Sequence, residues 1–127
     1  MPVTTYFGNA VLNHMLRGQS FTPPSTVWVG LFTQMPTADG GGQEVSGGGY
    51  VRQPATFAPA ANREISNDTD LQFPTATADW GTVVGFGLFD AETGGNLLVF
   101  ASLSTPKNVL TGDQPYFPTG ELTVTIS

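Results

Sequence analysis

The stretch spanning residues 73–103 constrains the fold of this chain more than any other. Residues 82–89 and 96–103 are two apolar segments of β type. Thr93-Gly94-Gly95-Asn96 joins them with residues that tolerate positive φ, so the pair predicts a hairpin. Gly85 and Gly87 inside the first arm predict a large side chain lying across that face, with Trp80 the candidate. The stretch holds no set of nucleophile, base and metal ligand. A chain whose most specific segment is architectural points to building or binding rather than to catalysis.

The other strand signals are shorter. Val27, Trp28, Val29, Leu31 and Phe32 make a segment apolar on both faces, which predicts a central or doubly covered strand. Residues 50–57 read as a strand broken by Pro54, hence near an edge or bulge. Residues 64–66 and 70–73 read as two small strands around the polar turn Asn67-Asp68-Thr69. Pro115 and Pro118 flank Tyr116-Phe117 and keep that pair from lying deep in a ladder. At the end of the sequence Leu122, Val124 and Ile126 alternate with Glu121, Thr123, Thr125 and Ser127, the pattern of a half-buried antiparallel strand.

One helix is predicted, over residues 4–17. Thr4 or Thr5 can cap its start, Gly18 sits where a C′ glycine belongs, and Arg17 suits the dipole of the last turn. Phe7, Val11, Leu12, Met15 and Leu16 form one apolar stripe. Residues 38–49 hold six glycines with Asp39, Gln43, Glu44 and Ser46, and read as an exposed loop or contact arm. No repeat and no heptad run is visible. About seven short strands with regular turn signals predict an all-β, mainly antiparallel fold. The expected architecture is one β-sandwich or barrel-like domain over residues 1–127, with the N-terminal α-helix packed on an edge or end.

Charge narrows the partners. The net charge is −6, and the basic residues Arg17, Arg52, Arg63 and Lys107 are scattered. A phosphate-tracking surface needs clustered cations, so nucleic acid and anionic lipid are not expected partners. Only 11% of residues are charged, against about 25% in an ordinary soluble domain, which favours surface buried against partners. No apolar run approaches the roughly 20 residues of a membrane span, and the start Met1-Pro2-Val3-Thr4-Thr5 has no signal-peptide pattern. There are no cysteines, so disulfides and thiolate metal sites are excluded.

Catalytic and metal-ligating sets are missing from the pattern. His14, the only histidine, has Asn13 and Arg17 as neighbours rather than a nucleophile and an orienting carboxylate. Asp68 with Asp70 lacks the further acids of a calcium loop and reads as a hydrated turn. Asp90 reads as the residue that opens the hairpin turn by bonding nearby backbone. The glycine runs lack the Lys-Ser/Thr of a phosphate loop. No enzyme, cofactor or metal is therefore expected. Trp28, Trp80, Tyr50 and Tyr116 are candidates for a sugar platform, with core packing the alternative. The residues singled out as a candidate interface are Tyr116, Phe117, Tyr50 and Glu44.

Several stretches together carry a family resemblance. They are residues 5–16 and 26–33, then Glu44-Val45-Ser46-Gly47-Gly48-Gly49-Tyr50-Val51-Arg52-Gln53, then Phe73-Pro74-Thr75-Ala76-Thr77-Ala78-Asp79-Trp80-Gly81. Phe89-Asp90-Ala91-Glu92-Thr93-Gly94-Gly95-Asn96-Leu97-Leu98, Thr105-Pro106-Lys107 and Gly120-Glu121-Leu122-Thr123-Val124-Thr125 complete the set. With these the chain resembles, over nearly its whole length, a family of small proteins of tailed phages and prophages labelled tail fibre-like. The Pro115-Tyr116-Phe117-Pro118 segment is more proline-rich than that family's norm. The resemblance implies a virion structural protein, assembled in the host cytoplasm, with no catalytic residues to carry over. A fibre needs length, and this chain shows no shaft. The leading expectation is therefore an outer capsid decoration (cement) protein that bridges coat subunits and meets copies of itself, with a homotrimer favoured by analogy. The second expectation is a tail-tip or fibre-associated module that binds host-surface glycan.

Overall fold

The computed structural model describes residues 2–126. The elements run α1 (Thr5–Arg17), β1 (Val27–Gln34), β2 (Gln43–Glu44), β3 (Gln53–Ala55), β4 (Glu64–Ser66), β5 (Leu71–Gln72), β6 (Gly81–Phe89), β7 (Leu97–Val109), β8 (Tyr116–Phe117) and β9 (Thr123–Thr125). All pairings between these strands are antiparallel. The fold is mainly β with a single N-terminal helix, as the sequence implies.

The main sheet runs β2-β1-β6-β7, and β3 shares the β2 edge of β1. β3 pairs with Val27, Trp28 and Val29, while β2 pairs with Phe32 and Gln34. Pro54 thus sits in an edge strand, where its missing N–H leaves no gap in a central ladder. The apolar β1 is central, flanked by β6 on its other side. Cross-strand partners share a face, so Val29 with Leu88, Leu31 with Phe86 and Leu88 with Val99 form one apolar layer. The two ribbons β4-β9 and β5-β8 contribute to the same core through Leu71, Phe117 and Val124, with Phe73 and Leu122 beside them. Phe73, Leu31, Leu122 and Val29 are almost wholly enclosed, and each contributes roughly 1.5–3 kcal/mol by its burial.

Three expectations change here. The small strands at 64–66 and 71–72 do not pair with each other; β4 pairs with β9 and β5 with β8. The reason lies in Asn67, which is 3% exposed. Its Oδ1 accepts from Leu122 N–H at 2.9 Å, and its Nδ2 donates to Thr69 and Pro118 carbonyls. The supposed surface turn is a buried polar clamp that sends the two strands to different partners. Second, Trp80 does not cover Gly85 and Gly87. Met35 lies over Gly85, and Phe32 and Leu97 lie over Gly87, closely enough that a Cβ at either position would collide. Third, the glycine-rich stretch 38–49 is not a free arm. It contains β2, buries Val45, and presents the Gly48 carbonyl to Trp80 Nε1 at 2.9 Å and to Thr77 N–H at 2.9 Å.

α1 is capped as predicted. Thr4 Oγ1 accepts from Phe7 N–H, and Gly18 closes the helix in the left-handed region at φ 68°. Thr4 is itself 4% exposed, and its hydroxyl donates to the Leu97 carbonyl at 2.7 Å. Its N–H donates to Leu98 O and Phe100 N–H donates to Pro2 O, so residues 2–4 pair with the outer edge of β7. Further along, β7 leaves register with β6. Val83 faces Lys107 and Gly85 faces Ser102, so one residue of β6 opposes residues 103–106 of β7. The extra residues bulge off the ladder at Pro106, which could not have donated to it.

Candidate interaction surfaces

Glu44 and Tyr50, two of the four predicted interface residues, point into the chain. Glu44 ends β2 beside Gly30 of β1, and a Cβ on Gly30 would come within 2.6 Å of Glu44 Oε2 and 2.8 Å of the Phe89 ring. That missing side chain makes the pocket for a polar cluster. Arg52 Nε and Nη2 donate to the two Glu44 oxygens at 2.8 Å each, a fork-to-fork pair. Arg52 Nη1 donates to the Ala91 and Gly94 carbonyls at 2.8 Å, which anchors the β6–β7 turn. Its guanidinium carbon lies 3.5 Å from the centre of the Phe89 ring. Tyr50 Oη donates to Glu44 Oε2 at 2.5 Å and accepts from Leu31 N–H at 3.0 Å. Burial, then the bond to Glu44, pushes the Tyr50 hydroxyl far above its ordinary pKa, so it stays protonated. In the sequence Arg52 reads as one scattered cation; its eight-residue separation from Glu44 across a glycine-rich turn conceals the pair.

Tyr116 and Phe117 divide across β8. Phe117 is 9% exposed and packs edge-on against Phe73 and Phe86, with centroids 6.3 and 5.8 Å away. Tyr116 is 51% exposed. The Asp70 carboxylate, the chief cause, lifts the Tyr116 hydroxyl above its ordinary pKa. Asp70 is itself held below its usual range, first by the Thr119 backbone N–H and then by the Thr119 hydroxyl, both at 2.9 Å. The tryptophans proposed for a sugar platform are withdrawn from solvent. Trp80 is buried edge-on against Tyr50, and Trp28 is half-buried in β1. Tyr116 alone of that set is exposed.

Among the described residues two surfaces stand out as open to a partner. The first is α1, in which no residue is buried. Leu12, Met15 and Leu16 of the predicted stripe are 56%, 70% and 78% exposed. The second is a cleft of about 640 Å³ between the bulged part of β7 and residues 113–117. Its floor is Leu31, Val83, Phe86, Val109 and Phe117, and Tyr116 stands at its rim.

The carboxylates weighed as chemical candidates are engaged in turn and side-chain hydrogen bonds. Asp90 accepts from Asn96 N–H at 2.7 Å and Asn96 Nδ2 at 3.0 Å and so closes the hairpin turn, as its position suggests. Burial pushes the Asp90 carboxyl upward, but these Asn96 bonds outweigh it and hold the pKa below the ordinary value. Asp68 accepts from the Thr56 hydroxyl. His14 Nδ1 lies 2.9 Å from the Gln19 carbonyl at the helix end. Among the described residues no three His, Cys, Asp or Glu side chains converge on a metal-sized site, and no helix is long and apolar enough to cross a membrane.

Compared with known proteins, the chain matches the family model described as Podophage GP4 fiber I protein gp80 over residues 2–125. No curated protein matches it.

Proposed function

Because this chain belongs to the family of Podophage GP4 fiber I protein gp80, we propose that it is a structural component of a tailed-phage virion, located at a fibre and assembled there through the apolar face of α1. The observation that carries the assembly route is the helix itself. A helix of 13 residues is marginal in water on its own propensity, and this one buries no residue. Covering Leu12, Met15 and Leu16 supplies the missing stabilisation. The occupant this reading favours is another copy of the chain. All ten acidic residues lie at position 39 or beyond, and the helix carries only His14 and Arg17 as ionisable groups besides Tyr6. Two net-acidic copies that meet helix to helix keep their acidic surfaces apart.

The capsid decoration role is the second reading. It is favoured by the absence, among the described residues, of any long helix or repeated β module that would give a fibre its length. What supports the fibre reading is the family description, and at a fibre a compact domain would serve as a joint or tip rather than a shaft. Electron microscopy of the intact particle, with this density traced, tests both. Density confined to the tail fibres supports the proposal. Density repeated over the icosahedral shell and bridging coat subunits overturns it in favour of the cement role.

A further inference from the structure

The cleft beside β7 plays no part in assembly through α1, and its chemistry is of a different kind. One wall is the bulge at residues 103–106, and the other is the segment 113–117. Its floor is apolar, while Ser104, Thr105, Asn108 and Gln114 bring hydroxyl and amide groups to the rim. Three ionisable side chains of fixed charge line it, Lys107 against Asp113 and Glu121, which leaves no positive excess. The Asp113 carboxylate is already bonded to the Leu110 N–H at 2.9 Å.

The geometry points to a binding site for a neutral oligosaccharide in this cleft, with the Tyr116 ring as the stacking platform. About 640 Å³ falls within the roughly 300–1,000 Å³ of small-ligand sites, which combine an apolar lining with a few placed polar groups. The apolar floor suits the C–H faces of sugar rings, and the rim suits their hydroxyls. A phosphorylated or polyanionic ligand would meet one lysine and two carboxylates, the wrong balance for anion capture. An added peptide strand is disfavoured, because Pro106 and the bulge break the β7 edge that such a strand would extend. Tyr116 lies on β8, whose backbone pairs with β5 at Gln72, so the residue that carries the ring is placed before a ligand arrives and less backbone freedom is lost on binding.

This inference does not depend on where in the particle the chain sits, because it is tested on the isolated full chain. Amide ¹H–¹⁵N spectra are recorded during titration with maltotetraose, chitotetraose and mannotetraose, and with tetragalacturonate as the anionic probe. The expected result is saturable shifts with at least one neutral probe, confined to residues 31, 83, 86, 102–109, 113–117 and 121. Tyr116→Ala then weakens binding by about tenfold, Tyr116→Phe retains most of it, and Thr105→Arg blocks the rim. The Arg substitution lies on an exposed bulge and keeps the test valid if Tyr116→Ala perturbs β8. Absence of shifts with all four probes at about 10 mM, shifts that map elsewhere, or preferential binding of tetragalacturonate each overturns the assignment.

Discussion

Replacing Glu44 by alanine isolates the energetics of the cluster behind β2. Arg52 is 8% exposed and makes four hydrogen bonds, two of them to Glu44. Without Glu44 the guanidinium stays enclosed over Phe89 with two N–H groups unpartnered, and Tyr50 Oη loses its acceptor. Breaking a buried ion pair from one side costs about 3–5 kcal/mol. The Glu44 side chain is 24% exposed, so water can partly replace it and the lower end applies, about 3 kcal/mol. The stranded tyrosine hydroxyl adds about 1 kcal/mol. The total of about 4 kcal/mol is a large share of the 5–15 kcal/mol that holds an ordinary domain together. For a chain of 127 residues it corresponds to a fall in Tm of roughly 12–20 °C. Urea unfolding of wild type, Glu44→Ala, Arg52→Ala and the double variant gives the coupling directly, with an expected value of about 2–3 kcal/mol. A Glu44→Ala cost below about 1 kcal/mol, with coupling near zero, is the behaviour of an exposed pair and would refute the reasoning.

Four further outcomes follow from single contacts. The Tyr50 pKa is raised on folding, so its contribution is complete below the unfolded value of about 10 and is lost as pH rises beyond it; stability should fall there by about 1.4 kcal/mol per pH unit, and Tyr50→Phe should flatten that slope in alkaline urea titrations. Gly48→Ala combines φ 59° with a Cβ 2.9 Å from the Trp80 ring, whereas Gly47→Ala has φ 76° and open space; by thermal unfolding the first should cost about 1–3 kcal/mol more than the second, and equal costs would show that Trp80 yields freely. Asn67→Ala strands the buried Leu122 N–H at a site where Asn67 is 3% exposed, and a loss of about 1–3 kcal/mol in urea is expected. Leu16→Asp removes an exposed leucine that α1 assembly would bury at about 1.5–3 kcal/mol, so sedimentation should show a roughly tenfold or greater weakening of self-association, and an unchanged mass distribution would sink that contact.

The elements that the sequence made legible are those set by local chemistry. The Thr4 cap, the Gly18 terminus, the β6–β7 hairpin closed by Asp90 and the edge position of Pro54 all depend on residues near one another in the chain. Pairings between distant segments were not legible. β4 and β9 are three residues each and meet across some sixty positions of sequence, and nothing in Glu64-Ile65-Ser66 names Thr123-Val124-Thr125 as its partner. The stripe on α1 was read correctly as a pattern, yet periodicity reports only that one face is apolar, not that this chain covers it. Of the four interface candidates, Tyr116 is exposed where flanking prolines keep it out of a long ladder, while its neighbour Phe117 alternates inward to the core. The internal bonds of Glu44 and Tyr50 were not legible because a glycine-rich surrounding looks like solvent. Here the glycines let backbone and polar side chains approach one another closely, as Gly30 does for Glu44.

The two open surfaces occupy different stretches of one strand, and this gives the proposals a joint consequence. Residues 2–4 and α1 attach at the start of β7, through Leu97, Leu98 and Phe100, while the cleft begins at Ser102 and is walled by the bulge that follows. At about 3.3 Å per residue, Thr105 lies up to roughly 20 Å from Val99, far enough for a partner on the helix to leave the cleft clear. A shallow sugar cleft with a single exposed aromatic ring would bind one chain weakly. Copies held together through α1 would present several such clefts on one rigid body, so a surface bearing repeated glycans would be bound far more tightly than any single site allows. The Leu16→Asp variant separates the two effects. It should leave the affinity for a soluble tetrasaccharide unchanged while abolishing the gain on a multivalent, oligosaccharide-coated surface. Equal retention of wild type and variant on that surface would show that assembly and binding are uncoupled.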